Sequence, residues 1–358
     1  MFPYFLSYSL ISILAILEFH KIKIYILHKN KINFFVIIYL CLFMGFKFHV
    51  GGDWGTYKNY FNEILKFQMR FQDLNNDIGY YFLNLLFYKL GFEFKIVNLI
   101  SSIISILGLH LLAKNFTRYW LFFLILTPYF IFVILMGYTR QSISIGLFFI
   151  ALSFLFKDIN KSNIFLYIII VTIATFFHKS SFIFLLVPLL FFKKNSYSYS
   201  ILIHTITLFS FFLIFFIFND RFVNRLEFFF VNQYSSFGGY LRITIISLFC
   251  IFYLVLIRAP YNYSIKIRLI NKLSFIALFI CSMVFLIPST VIIDRFLLYF
   301  YFIIPVCVIY LIDISKNNIN KSIILYSVVT FGFIFMTLWF NYATNSFSWL
   351  PYKNYLFM

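Results

Sequence analysis

Charge is scarce in this sequence. Only 11% of its 358 residues are Asp, Glu, Lys or Arg, and the acids number just 11, against roughly a quarter charged in soluble domains. With 63% hydrophobic residues, that scarcity excludes a water-soluble globular domain and indicates an integral membrane protein. Cysteine is scarcer still. Cys41, Cys250, Cys281 and Cys307 stand singly within or beside apolar runs, which excludes a disulfide framework and a paired-ligand zinc site. No metal and no cofactor are expected. The chain also lacks a basic n-region and small-residue cleavage site at its start, so residues 4–19 read as a first membrane helix and not a removed signal. No internal repeat, heptad array or Gly/Ser linker divides it, which predicts a single polytopic domain over residues 1–358.

What charge there is has one sign, with a net value of +18. In a soluble protein that would point to nucleic acid. Here Lys and Arg fall mostly in short breaks between apolar runs, where the enrichment of cytoplasmic loops in basic residues accounts for them, and no nucleic-acid partner is expected. The 56 phenylalanines and 27 tyrosines, beside abundant Ile, Asn and Lys, look like an AT-rich coding bias as much as selection, so single aromatics carry little information. Function must rest on the polar residues.

Apolar runs occupy about 4–19, 32–48, 96–113, 119–136, 141–156, 163–177, 181–192, 199–218, 241–257, 273–288, 295–312 and 322–340. They predict an all-α polytopic membrane protein with about 12 transmembrane helices. If every run crosses, the breaks holding Lys21 to Lys31, Lys114 and Arg118, Lys157 and Lys161, Lys193 and Lys194, Arg258 to Lys272, and Lys316 and Lys321 share one face, assigned to the cytoplasm. Both termini then lie outside. The run from Asp77 to Leu90 is too short for a comfortable span, and crossing would invert the lysine bias after it. It reads as a re-entrant or interfacial outer helix. The outer loops long enough to build a site are about 49–95 and 219–241; the second holds Asp220, Arg221, Arg225 and Glu227.

An ionised side chain at the centre of a membrane helix costs about 2.5–3.5 kcal/mol on the mild insertion scale, so charged residues at helix ends invite scrutiny. Arg140 follows Gly137-Tyr138-Thr139 at the end of one run, and His178-Lys179-Ser180-Ser181 joins two others. The intervening down-and-up hairpin puts Arg140 and His178 on one side of the membrane. The guanidinium matches phosphate oxygens bidentately and cannot discharge, while an arginine reaching for headgroups is the plain alternative. Gln141, Ser142 and Ser144 argue against a purely lipid-facing surface. His178 suits a general base or a hydrogen bond to a sugar, with Lys179 tending to keep it neutral, or simply an interfacial histidine at a tight hairpin. Gly51-Gly52-Asp53-Trp54-Gly55-Thr56-Tyr57 opens the first outer loop, either as a membrane-exit turn or as a backbone cradle for an anion. It is no nucleotide-binding motif, because the Gly-Lys-Ser/Thr ending is missing. Asp294-Arg295 and Arg242 fall near outer ends of spans. Either they are satisfied pairs, or Arg140, Arg242 and Arg295 form a cationic patch at the depth of a lipid-linked pyrophosphate.

The succession Gly52-Asp53-Trp54-Gly55-Thr56-Tyr57, Asp77-Ile78-Gly79-Tyr80, Gly137-Tyr138-Thr139-Arg140-Gln141, Phe177-His178-Lys179-Ser180-Ser181 and Asp294-Arg295-Phe296 resembles the EpsG family of Wzy-type polymerases of O-antigen, capsule or exopolysaccharide. The resemblance covers about residues 40–310, and Gly55 after Trp54 departs from the aromatic-then-spacer pattern of the first motif. It implies a glycosyltransferase of the bacterial inner membrane that joins oligosaccharide repeat units carried on undecaprenyl pyrophosphate at the outer face, without a nucleotide-sugar donor. Its implied partners are those lipid-linked oligosaccharides, membrane lipids, a chain-length regulator and a flippase. On that resemblance Arg140 and Arg295, then Arg242, would bind pyrophosphate with Lys179 and Gln141 beside them. His178 or Asp53 would serve as base or acceptor-positioning group, and Trp54, Tyr57 and Tyr138 would stack on sugar faces. A flippase of lipid-linked glycans and a membrane O-acyltransferase of surface polysaccharide are the competing readings. Neither the repeated halves of the first nor the early Arg and His arrangement of the second is found.

Overall fold

A backbone surrounded by lipid must satisfy its own N–H and C=O groups, and a helix does so within one segment. The apolar runs fold accordingly. The computed structural model describes residues 1–65, 77–190, 205, 207–209, 237–256, 265–287 and 289–358. In chain order the elements are α1 (Phe2–Phe19), α2 (Lys23–Gly45), β1 (Lys47–Phe48), α3 (Trp54–Asn62), α4 (Ile78–Lys89), α5 (Phe94–Ala113) and α6 (Tyr119–Leu126), the last continuing as a π-helix over Thr127–Leu135. There follow α7 (Thr139–Lys157), α8 (Lys161–Phe177), a 3-10 helix (Lys179–Leu190), α9 (Phe237–Leu256), α10 (Ile265–Ser282), α11 (Thr290–Leu297), α12 (Ile303–Ile314), α13 (Asn318–Tyr342) and β2 (Lys353–Asn354).

Among the described residues seven helices are long and apolar enough to cross a bilayer, or eight if the bent pair Thr290–Phe300 and Ile303–Ile314, at 43°, is one span. The chain is an all-α, multi-pass membrane protein. The runs expected near 119–136, 163–177 and 181–192 are shorter apolar helices, Tyr119–Leu135, Lys161–Phe177 and Lys179–Leu190. Apart from 205 and 207–209, the run at 199–218 lies outside the described residues, as do Asp220, Arg221, Arg225 and Glu227. The segment after Asp77 forms the 12-residue α4, in which only Tyr80 and Asn84 are buried. It is too short for a comfortable span, in keeping with its sequence.

The helices fall into two compact units, Met1–Gly146 with Val308–Met358, and Leu147–Cys307. In the first, α5 and α7 cross where Gly108 and Gly146 face each other, and a Cβ on either would collide with the opposite backbone. Small residues permit such close packing in lipid, where no hydrophobic effect drives helices together. Serine hydroxyls add directed contacts. Ser102 Oγ donates to the Cys41 carbonyl of α2 at 2.8 Å, while Ser101 Oγ lies 2.8 Å from Ser142 Oγ and donates to the Thr139 carbonyl at 3.1 Å. The first turn of α7, which carries Arg140, is thus pinned to α5.

This unit has two poles, separated by roughly 25 Å of helix over Tyr119–Leu135. At one, three basic breaks meet: the Trp120 N–H donates to Glu18 at 2.7 Å, and Arg118 pairs with Asp313 at 3.2 Å. At the other, the Gly51 N–H donates to the Ser348 carbonyl at 2.8 Å, and β1 pairs antiparallel with β2, Lys47 opposite Asn354. Trp349 covers Gly137 there, and its Nε1 donates to the Phe132 carbonyl at 2.8 Å.

In the second unit, the Asn160 side chain caps α8 by accepting the Asn163 N–H at 2.8 Å, relieving one orphan donor of the first turn. The chain reverses at His178, and the 3-10 helix packs back on α8, with Tyr167 donating to the Phe184 carbonyl at 2.8 Å. Phe184 lies against Phe148 and Tyr299, ring centroids 4.5 and 4.7 Å away.

Candidate functional site

Arg140 occupies the first turn of α7, where Ser101 holds the backbone and Gln141, Ser142 and Ser144 are all buried. The helix face beside Arg140 therefore packs on protein and not on lipid. Its Nη1 lies 3.2 Å from Asp77 Oδ2, the residue that opens α4. The guanidinium carbon sits 5.4 Å from the centroid of the Tyr57 ring on α3, within the range of a cation–π contact. Tyr60 and Tyr80 complete a phenolic wall, with rings stacked at 6.0 Å. Burial pushes the Tyr57 phenol above its usual range against the opposing Arg140 charge, and pushes Tyr60 up to about 12. Both remain protonated at neutral pH. One donor is left over: Arg140 Nε is buried with no hydrogen-bond partner among the described residues, although a third of the side chain is exposed.

Asp53 precedes α3 and acts electrostatically on Tyr57 and Lys47. Lys47 lies outside the spanning part of α2, is 4% exposed, and donates from Nζ to the Met136 carbonyl. That carbonyl belongs to the turn leading into Gly137. Burial lowers the Lys47 ammonium to about 7, with the Asp53 charge opposing, so this amine titrates near neutrality. Gly51 comes close to the same turn: at φ 102° it suits glycine, and a Cβ there would lie 3.1 Å from Gly137 Cα. Trp54 is buried with its face against His49, centroids 4.0 Å apart. Neither Trp54 nor Tyr57 offers a free face to a sugar, because His49 and Arg140 cover them. Tyr138 is 37% exposed.

The far side of α3 faces a second feature of this unit. A cavity of about 590 Å³ is lined by the aromatic rings of Phe48, Phe61, Tyr88 and Tyr355, with Lys58 and Asn62 among them. Flat apolar faces interspersed with a few hydrogen-bonding groups suit the two-sided surface of a sugar ring. Tyr57, against Arg140, and Lys58, lining the cavity, are adjacent on α3, so this helix joins the cavity to the Arg140 cluster.

The second unit holds the other expected residues in two groups. His178 ends α8, and its Nδ1 accepts the Ser180 N–H at 3.3 Å and lies 2.6 Å from Ser180 Oγ, itself 3.1 Å from the Tyr299 hydroxyl. An Nδ1 that accepts leaves the proton of a neutral imidazole on Nε2, which then donates. Lys179 is half-buried beside it. Arg242 on α9 forms a bidentate pair with Asp294 on α11, Nε to Oδ1 2.5 Å and Nη2 to Oδ2 2.6 Å, while Arg295 is exposed. The three arginines are thus not equivalent cations: Arg140 and Arg242 are partly buried against carboxylates, and Arg295 is exposed. Among the described residues no group of three or more His, Cys, Asp or Glu is placed to hold a metal ion.

Two members of the first cluster escape a reading of the sequence. Lys47 sits inside the run 32–48 taken as apolar, although a lysine near the end of such a run is itself a signal. Asp77 stands out as an outer acid, but nothing local joins it to Arg140. No curated protein and no solved structure matches the chain significantly. The EpsG family model matches residues 30–354, a wider stretch than the motifs alone span and one that takes in β2 and Trp349. By that match over nearly its whole length, the chain belongs to the EpsG family.

Proposed function

We propose that this protein is a polysaccharide polymerase that joins undecaprenyl-pyrophosphate-linked oligosaccharide repeat units at the outer face of the bacterial inner membrane. Membership of a family associated with polysaccharide polymerisation supports the reaction class. The observation that carries the site is the buried Nε of Arg140, which has no hydrogen-bond partner among the described residues, on a guanidinium held in place by Asp77 and Tyr57. The enrichment of cytoplasmic loops in basic residues sets the lysine-rich pole inward and the Gly51, Gly137 and Trp349 pole outward.

An acceptor hydroxyl of one lipid-linked unit attacks the anomeric carbon of the growing glycan. The bond from that carbon to the pyrophosphate oxygen breaks, and undecaprenyl pyrophosphate leaves with the negative charge. A fixed donor aimed where that charge grows lowers the barrier without reorganising, and Arg140 takes this role. Asp53 accepts the hydroxyl proton or orients the hydroxyl, next to the near-neutral Lys47 amine. The cavity lined by Phe61 and Tyr88 receives glycan. His178 and Arg295, in the second unit, are separate candidates for contact with a sugar hydroxyl and a phosphate.

Purified protein in vesicles with synthetic lipid-linked repeat units tests the reading. Elongated product formed without nucleotide sugar is the expected result. Transbilayer movement of labelled glycan without elongation, or acyl transfer to it, would replace polymerase by flippase or O-acyltransferase.

A further inference from the structure

A second cavity in the first unit lies at the pole away from Arg140. It encloses about 1350 Å³ between the end of α1, the start of α6 and the first half of α13. Its walls change character along α13. Asn318, Lys321 and Ser322 stand at the mouth, and Tyr326, Thr330 and Ile334 continue inward four residues apart, on one helix face. Tyr326 and Ile334 are 46% and 51% exposed, and Phe331 beside them 68%. This strip is apolar surface that protein leaves uncovered.

The mouth is positive for an identifiable reason. Both nearby carboxylates are engaged internally: Glu18 accepts the Trp120 N–H at 2.7 Å and pairs with Lys29 at 3.4 Å, and Asp313 pairs with Arg118 at 3.2 Å and accepts from Thr117 at 2.9 Å. Lys21 and Lys321 line the same cavity, and among the described residues neither has an acidic partner. His20 joins them, its Nε2 3.2 Å from the Tyr326 hydroxyl. Lys21 takes φ 52°, a left-handed conformation that disfavours a lysine.

We propose that this cavity binds one anionic glycerophospholipid, its phosphate between Lys21 and Lys321 and an acyl chain along Tyr326, Thr330 and Ile334. An amphiphile satisfies both ends of the groove, whereas a soluble anion would leave the apolar strip bare. Basic pockets between membrane helices at a lysine-rich face favour acidic headgroups over zwitterionic ones. The site stands apart from the Arg140 cluster and does not depend on the polymerase reading.

The test titrates phosphatidylglycerol into the full chain in phosphatidylcholine nanodiscs and reads retained lipid by native mass spectrometry. Saturable retention of one phosphatidylglycerol is expected, and the Lys21→Gln/Lys321→Gln double variant should weaken it roughly thirtyfold. The Lys23→Gln/Lys31→Gln control, whose lysines do not line the cavity, should change it by less than about twofold if the site and not the general surface potential holds the lipid. Equal retention of phosphatidylcholine, equal loss in both double variants, or displacement by equimolar undecaprenyl pyrophosphate would overturn the proposal. Thr330→Trp, which fills the groove beyond the headgroup, should also abolish retention, and it decides the matter if the lysine variant does not fold.

Discussion

Arg140 and Asp77 stand 63 residues apart in the chain and 3.2 Å apart in space. The pair fixes a guanidinium beside α3 and α4 with one edge committed and, among the described residues, one buried donor without a partner. Asp77→Asn removes the counter-charge from an arginine that keeps a third of its surface in solvent. The expected cost is about 1–2 kcal/mol, below the 3–5 kcal/mol of a fully buried broken pair. Thermal unfolding of the purified variant checks it, and a cycle with Arg140→Gln should show positive coupling between the two sites.

Lys47 predicts a pH dependence of stability. Its folded pKa lies near 7 and its ordinary value at 10.5, so between those limits the unfolded chain binds a proton that the folded chain does not. Stability should therefore rise with pH through that window, by up to about 1.4 kcal/mol per unit, and be flat in this respect below it. Lys47→Met should flatten the rise in melting temperature between pH 7 and 9. The same variant orphans the Met136 carbonyl and should slow elongation at all pH values.

Gly137 has no room for a methyl group, because a Cβ would stand 2.8 Å from the Trp349 ring. Gly137→Ala should destabilise by about 1–3 kcal/mol through overpacking. Trp349→Leu in the same chain should restore part of the loss in a melting experiment.

How much of this was legible in the sequence follows from what each residue needs. The membrane class, the helix pairs around residues 157–161, and the shared pole of Lys21, Arg118 and Lys321 are readable because apolar run length and local charge determine them. Arg140 stands out because an arginine beside buried serines has few bland explanations. Its partner does not, since Asp77 reaches it only through the packing of α4 beside α5. Lys47 is diluted by its apolar neighbours, so a single charge there leaves little trace in the run. The π-helix before Gly137 is uniformly apolar and leaves no periodic trace. Trp349 and β2 look like a polar-aromatic tail until the pairing with β1 is known.

The bidentate pair of Arg242 and Asp294, with both side chains largely buried, predicts that lysine cannot replace arginine. Arg242→Lys keeps the charge but loses the fork that meets both carboxylate oxygens. A loss of about 1–3 kcal/mol is expected on thermal unfolding, with Asp294→Asn at least as costly because it strands the arginine.

The most direct measurement is the elongation rate of Arg140→Gln against the wild-type chain in vesicles supplied with the same lipid-linked repeat units. Loss of a fixed donor at the developing negative charge should slow elongation about 100- to 1000-fold, with the variant still inserted, monodisperse and able to retain phosphatidylglycerol. Elongation within about twofold of wild type would show that the unspent donor of Arg140 meets no reacting oxygen, and the site would have to lie elsewhere.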